Sequence, residues 1–170
     1  MAQRTTPSLQ CVDHRAHDRA AVLSDFLATV PWSPARPDTL VVCCSDGRWH
    51  EQVEEFVHKH VSKRADVYAV PGGPAIFWWN SPVDENRVAE RHFRFLAEHH
   101  DLRAIWLIAH EDCAFYRELH RNAAAAKLKE SQIEDLERAR EKIAGWFPKL
   151  DVRKIYASLN RDCVTFSTLS

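Results

Sequence analysis

Two short apolar runs in this chain show no alternation. Thr39-Leu40-Val41-Val42-Cys43 follows a proline-rich turn, and Ile105-Trp106-Leu107-Ile108 lies within the stretch from Leu102 to Ala109. Each is short for a buried helix, and an unbroken apolar run suits a strand covered on both faces. Strands of that kind belong to parallel sheets with helices above and below. Between them, Val53, Phe56, Val57 and Val61 form a helical stripe from Trp49 to Val61. A second β-rich run, Asp66 to Val70, then ends at Pro71-Gly72-Gly73-Pro74. Strand, helix, strand in this order implies a parallel pair.

The flanking segments extend the pattern. Ala20, Leu23, Phe26, Leu27 and Val30 recur at helical spacing, so the first 30 residues read as a helix closed by Pro31, Pro34 and Pro37. Ala75 to Asn80 reads as an aromatic loop. Ser81-Pro82-Val83-Asp84 has the serine cap, first-turn proline and acid of a helix start, and that helix runs to about His99. Phe115 to about Phe147 reads as one long helical region, with Ile133, Leu136, Ile143 and Phe147 on a stripe and Ala123 to Ala126 as strong helix formers. Ile155 to Leu159 and Cys163 to Phe166 flank the polar turn Asn160-Arg161-Asp162, a C-terminal hairpin. The expected architecture is a single three-layer α/β domain over residues 1–170. It has central parallel strands, helices on both faces and an antiparallel C-terminal edge strand.

Composition narrows the function. With 23 Lys+Arg against 24 Asp+Glu the formal charge is −1, and no basic face gathers to track phosphates, so nucleic acid is not an expected partner. No segment approaches the ~20 apolar residues that span a bilayer, and Met1 to Gln10 lacks the apolar core of a secretory signal. A cytoplasmic protein without membrane partners is the expectation. Five cysteines (Cys11, Cys43, Cys44, Cys113, Cys163) at irregular spacing, in a chain long enough to fold without staples, favour buried thiols, metal ligands or reactive groups over a disulfide framework.

Two of the expected strands end in metal-binding side chains. Cys44-Ser45-Asp46-Gly47-Arg48 follows the first and His110-Glu111-Asp112-Cys113 follows the strand from Leu102. Ligands of open α/β sheets bind outside the carboxyl ends of strands, so both clusters can share one crevice. Cys44, His110 and Cys113 would supply two thiolates and an imidazole and leave a tetrahedral position open, the composition of a catalytic zinc site. A lone cysteine or histidine is usually structural; their pairing at two strand ends changes that reading. Cys43 faces away from its neighbour in an extended chain and is expected to be a buried thiol without function, as are Cys11 and Cys163.

Asp46 and Arg48 sit on the same loop as Cys44. Beside a metal, a carboxylate held by a guanidinium stays ionised and can accept a proton from bound water. Asp46 could instead reach the metal as a fourth ligand and shut the site; both arrangements are open at this level.

Cys-x-Asp-x-Arg after one strand and His-x-x-Cys after another resemble the β-class carbonic anhydrases, with the motifs falling between Asp38 and Cys113 and a looser likeness along the whole chain. The resemblance implies a zinc lyase that interconverts carbon dioxide and bicarbonate through metal-bound hydroxide, with zinc on Cys44, His110 and Cys113 and a catalytic dyad of Asp46 and Arg48. It also implies assembly as a homodimer or a multiple of dimers. His50 is a candidate proton shuttle.

The chain departs from the family pattern at several places. Val70-Pro71-Gly72-Gly73-Pro74 replaces an Arg-Asn-Ala-Gly stretch, Ala114 stands where a glycine commonly follows the last zinc cysteine, and Ala35 stands at the offset of a substrate-contacting glutamine. Phe77-Trp78-Trp79 could cap the pocket, or be core or interface. These departures keep two other readings beside carbon dioxide hydration: a zinc-binding module without turnover, and hydrolysis of carbon disulfide or carbonyl sulfide. Metal-free thiol chemistry at Cys43-Cys44 is disfavoured, because no phosphate-cradling loop accompanies it.

Overall fold

The strand beginning at Thr39 is buried at every position, as its unalternating sequence requires: β1 (Thr39–Cys44) sends Leu40 and Val42 to one face and Val41 and Cys43 to the other. The computed structural model describes residues 27–78 and 84–170. Around β1 the sheet adds β2 (Asp66–Val70), β3 (Ala104–His110), β4 (Asp151–Asn160) and β5 (Cys163–Leu169). Their spatial order is β2-β1-β3-β4-β5. All pairings are parallel except β4 with β5, which turn antiparallel through Arg161 in the left-handed region at φ 57°. This is the expected parallel centre with an antiparallel C-terminal edge. β2 occupies the other edge, and its burial alternates where that of β1 does not.

Two apolar layers cover the sheet. On one face Leu40, Val42, Ile105 and Leu107 pack against Phe77, Ala89, Phe93, Leu136, Ala139 and Ile143. These last come from a short 3₁₀ turn (Gly73–Phe77) and from α2 (Glu85–His100) and α4 (Ala125–Trp146). On the opposite face Val41, Cys43, Ile108, Ile155 and Ala157 meet Trp49, Val53 and Val57 of α1 (His50–Phe56) and the π turn that continues it (Val57–Val61). Fully burying one such side chain contributes roughly 1.5–3 kcal/mol, so this patterning holds the helices to both faces. Among the described residues, no helix is long and apolar enough to cross a membrane.

Several local expectations change. The N-terminal helix expectation falls mostly on residues 1–26, outside the described residues, and Leu27 to Val30 are exposed and not helical. Ser81, Pro82 and Val83 also lie outside them; α2 begins at Glu85 with Asp84 left-handed at its cap. The aromatic loop is partly the 3₁₀ turn, whose Phe77 is fully buried. The long helical region is two helices, α3 (Ala114–Leu119) and α4. His120 (φ −126°, ψ 55°) and Ala124 (φ −66°, ψ 155°) leave helical geometry between them. Helix propensity at Ala123 and Ala124 is overridden because α3 must stay with its strand end while α4 crosses the sheet. Cys43 is a buried free thiol, whereas Cys163, expected to be free, is disulfide-bonded and half-buried.

Candidate metal centre

β1 and β3 are neighbours, but β1 continues to β2 on one side while β3 continues to β4 on the other. Strand order therefore reverses between them, and the crevice at their carboxyl ends is where an α/β sheet of this kind receives ligands. Cys44 closes β1, His110 closes β3, and Cys113 stands one short turn further on at the cap of α3. The three expected ligand residues thus converge, with their donor atoms all within 4.8 Å of one another.

Backbone packing fixes the first sulfur. Gly72 and Gly73 are both left-handed, at φ 74° and 54°. A Cβ on Gly73 would stand 2.9 Å from the Cys43 carbonyl carbon and the Cys44 nitrogen, so only glycine lets this turn lie against the end of β1. The Ser45 N–H donates to the Val70 carbonyl at 3.0 Å and carries the β1–β2 ladder past Cys44.

The imidazole is fixed from several sides. Nδ1 of His110 lies 2.7 Å from the Glu111 carbonyl, which makes Nδ1–H the donor and leaves Nε2 as the lone-pair nitrogen. Trp49 lies beside the ring with centroids 4.7 Å apart. Gln132 donates from Nε2 to the His110 carbonyl at 2.8 Å and in turn accepts from Tyr156 at 3.1 Å. His110 Nε2 itself is buried and makes no hydrogen bond. Such an atom normally costs about 1–3 kcal/mol unless something occupies it.

The sulfurs meet the same requirement. Cys44 Sγ and Cys113 Sγ are 3.8 Å apart. Two thiolates on a tetrahedral zinc, with Zn–S about 2.3 Å, would stand about 3.8 Å apart. The hydrogen bond from Cys113, helped by the neighbouring His110 imidazole and by the backbones of Asp46 and Gly72, brings the Cys44 thiol down to about 4 against the opposing effect of burial. That same bond, with burial, holds Cys113 up. Cys43, one residue away and turned into the core, is pushed up to about 11 by burial. A lone-pair nitrogen and two sulfurs at metal-edge spacing therefore fit a zinc ion.

Asp46 and Arg48 form the expected pair, and the geometry is bidentate. Arg48 donates to Asp46 from Nε at 3.0 Å and 3.1 Å and from Nη2 at 2.6 Å, and its backbone N–H reaches Oδ1 at 3.1 Å. These bonds hold the Asp46 carboxyl down at about 2, and it stays ionised through the neutral range. Both residues line a cleft of about 510 Å³ together with Cys44, Pro71, Ala114 and Phe115.

Other candidates lie elsewhere. Phe77 is in the core and Arg138 stacks over Trp78, while Trp79 is outside the described residues. Ala35 is exposed, and neither it nor His50 lines the cleft. Sequence reasoning missed Asp112 as a partner of Arg48, and it missed the polar residues behind the ligands. Gln132 and Asp135 are both buried, Asp135 accepting from Tyr116 at 2.7 Å. Their signal was present: each falls on the core stripe of α4 beside Leu136, Ala139 and Ile143, where a polar side chain needs a partner.

Residues 36–166 match the model of the family described as "Putative carbonic anhydrase", and the chain belongs to that family. Its fold is that of solved β-carbonic anhydrases. CafA of Aspergillus fumigatus aligns over 78% of this chain and 76% of that chain, at 11% identity and a TM-score of 0.51. Isoform I of Trichomonas vaginalis aligns over 83% and 87%, at 14% identity and a TM-score of 0.51. The carbonic anhydrase of Glaciozyma antarctica aligns over 81% and 85%, at 14% identity and a TM-score of 0.51. Comparison with curated protein sequences gives no match.

Proposed function

We propose that this protein is a zinc enzyme that interconverts carbon dioxide and bicarbonate, with Cys44, His110 and Cys113 as metal ligands and Asp46 and Arg48 as the catalytic dyad. The observation that carries the reading is the buried, unpartnered Nε2 of His110 facing two sulfurs at metal-edge spacing, with an ionised carboxylate on the same cleft. When bound, zinc supplies a Lewis acid that brings the acidity of water toward ~7.

The chain's own groups supply the rest. Asp46 lines the cleft with both carboxylate oxygens held by Arg48, and as an ionised carboxylate it can accept a proton there. Arg48 keeps that carboxylate charged and oriented. Pro71, Ala114 and Phe115 give the cleft an apolar wall suited to a small uncharged substrate. The same apolar wall would also admit carbon disulfide or carbonyl sulfide; of the aromatic run that motivated this alternative, Phe77 is in the core and Trp79 lies outside the described residues. A cytoplasmic location and assembly as a homodimer or a multiple of dimers belong to the same reading.

The test combines metal content with stopped-flow carbon dioxide hydration. About one zinc per chain, a rate well above buffer, loss of zinc in Cys44→Ser, and retained zinc with most of the rate lost in Asp46→Asn are expected. A fully zinc-loaded wild type no faster than buffer from neutral to alkaline pH would leave a metal-binding module without this turnover. Hydrogen sulfide release from carbon disulfide would indicate the sulfur analogue.

A further inference from the structure

Asp112 has no task in the reaction as described, yet it closes a bridge across the cleft. Arg48 turns its Nε/Nη2 edge to Asp46. Its Nη1 reaches Asp112 Oδ2 at 3.2 Å, and Nη2 reaches the Asp112 carbonyl at 3.2 Å. The other Asp112 oxygen, Oδ1, is buried and accepts no hydrogen bond, with the Arg117 guanidinium of α3 beside it at ion-pair range. One guanidinium therefore joins the loop that carries Cys44 to the loop that carries Cys113. The backbone is a second, independent observation: Asp112 is left-handed at φ 59°. Glycine takes that conformation at least cost, and a carboxylate stands there instead, aimed at Arg48.

We propose that Asp112 is a positioning residue: with Arg117 beside it, it fixes the far edge of the Arg48 guanidinium and so aims the Asp46 carboxylate into the cleft. The inference rests on the dyad reading above for its kinetic consequence, though not for its structural one. Asp46 and Arg48 alone are neighbours on one exposed loop, where a pair contributes little because water screens it and both side chains must be ordered. A second carboxylate on the opposite edge narrows the freedom that this exposed guanidinium has beside Asp46 alone.

The test uses Asp112→Asn in the full chain, because asparagine tolerates the left-handed backbone, with Arg117→Gln as a second variant. The first readout is side-chain NMR of the Arg48 Nε–H, assigned with Arg48→Lys and recorded with and without zinc. Its exchange with water should quicken severalfold in Asp112→Asn and less in Arg117→Gln. The second is stopped-flow hydration by the zinc-loaded proteins. Asp112→Asn should keep its zinc and lose up to about fivefold in kcat, the range of one partly exposed charge pair. Asp46→Asn/Asp112→Asn should be no slower than Asp46→Asn, since Asp112 acts only through that carboxylate.

Unchanged Nε–H exchange in both variants would overturn the proposal. So would loss of zinc in Asp112→Asn, or losses that multiply in the double variant, because either would give Asp112 a structural role independent of the dyad. If the wild type hydrates no carbon dioxide, the functional reading fails, while the exchange measurement still decides where Asp112 acts.

Discussion

Gly73→Ala tests whether the turn after β2 sets the position of the first sulfur. Alanine in the left-handed region costs roughly 1–2 kcal/mol, and the native φ is 54°. The new Cβ would stand 2.9 Å from two backbone atoms, the Cys43 carbonyl carbon and the Cys44 nitrogen. Ordinary carbon contacts lie at about 3.5–4.0 Å, so the end of β1 must give by about half an ångström. No flexible side chain is there to absorb the shift. Overpacking of this kind costs about 1–3 kcal/mol. The sum of about 2–5 kcal/mol corresponds to a fall of about 5–20 °C in Tm for a chain of this size.

Gly47→Ala is the control, with nothing within 4 Å of its Cβ. Circular-dichroism melts of the metal-free proteins give the stability difference. Zinc competition with a chromophoric chelator gives the affinity, which should fall because ligand distances tolerate only about 0.2 Å. If Gly73→Ala melts within about a degree of Gly47→Ala and holds zinc as wild type does, the turn does not position Cys44.

Two further outcomes follow from buried charge. Burial, opposed by Tyr116 and Arg138, raises the Asp135 carboxyl. A carboxyl raised in the fold disfavours folding once ionised, and that cost disappears as pH falls toward the unfolded value of about 3.9. Wild type should therefore gain stability relative to Asp135→Asn on acidification in pH-dependent melts; a constant difference between the two would contradict the buried-charge account. In the metal-free protein, iodoacetamide with peptide mapping should label Cys44 well before Cys43, since one thiol is brought down to about 4 and the other up to about 11. Zinc should protect Cys44, and equal labelling of both would contradict the assigned environments.

What was legible in the sequence was what depends on short-range patterning. The unalternating runs at Thr39 and Ile105 located the central strands, and because both end in ligand residues they located the crevice as well. The antiparallel return of β5 along β4 followed from the hairpin, whereas the parallel pairing of β4 with β3 emerged only in the fold. The break between α3 and α4 was not legible, since local alanine content points to continuity and only the need to turn from the strand end across the sheet opposes it. Nor was the contact of Arg48 with Asp112, which lie 64 residues apart. Charge pairs of that range leave no periodic trace, whereas Gln132 and Asp135 could have been singled out as polar residues on an apolar stripe.

The imidazole of His110 is oriented by main-chain oxygen at Glu111 rather than by a neighbouring carboxylate. Replacing the side chain at position 111 cannot remove that acceptor, whatever residue is put there. The side chain is free for a different duty, accepting the Leu159 N–H at 2.9 Å and tying down the end of β4. Drift at this position should therefore loosen the hairpin long before it turns the ring, so the chemistry of the centre is insulated from mutation at its nearest neighbour.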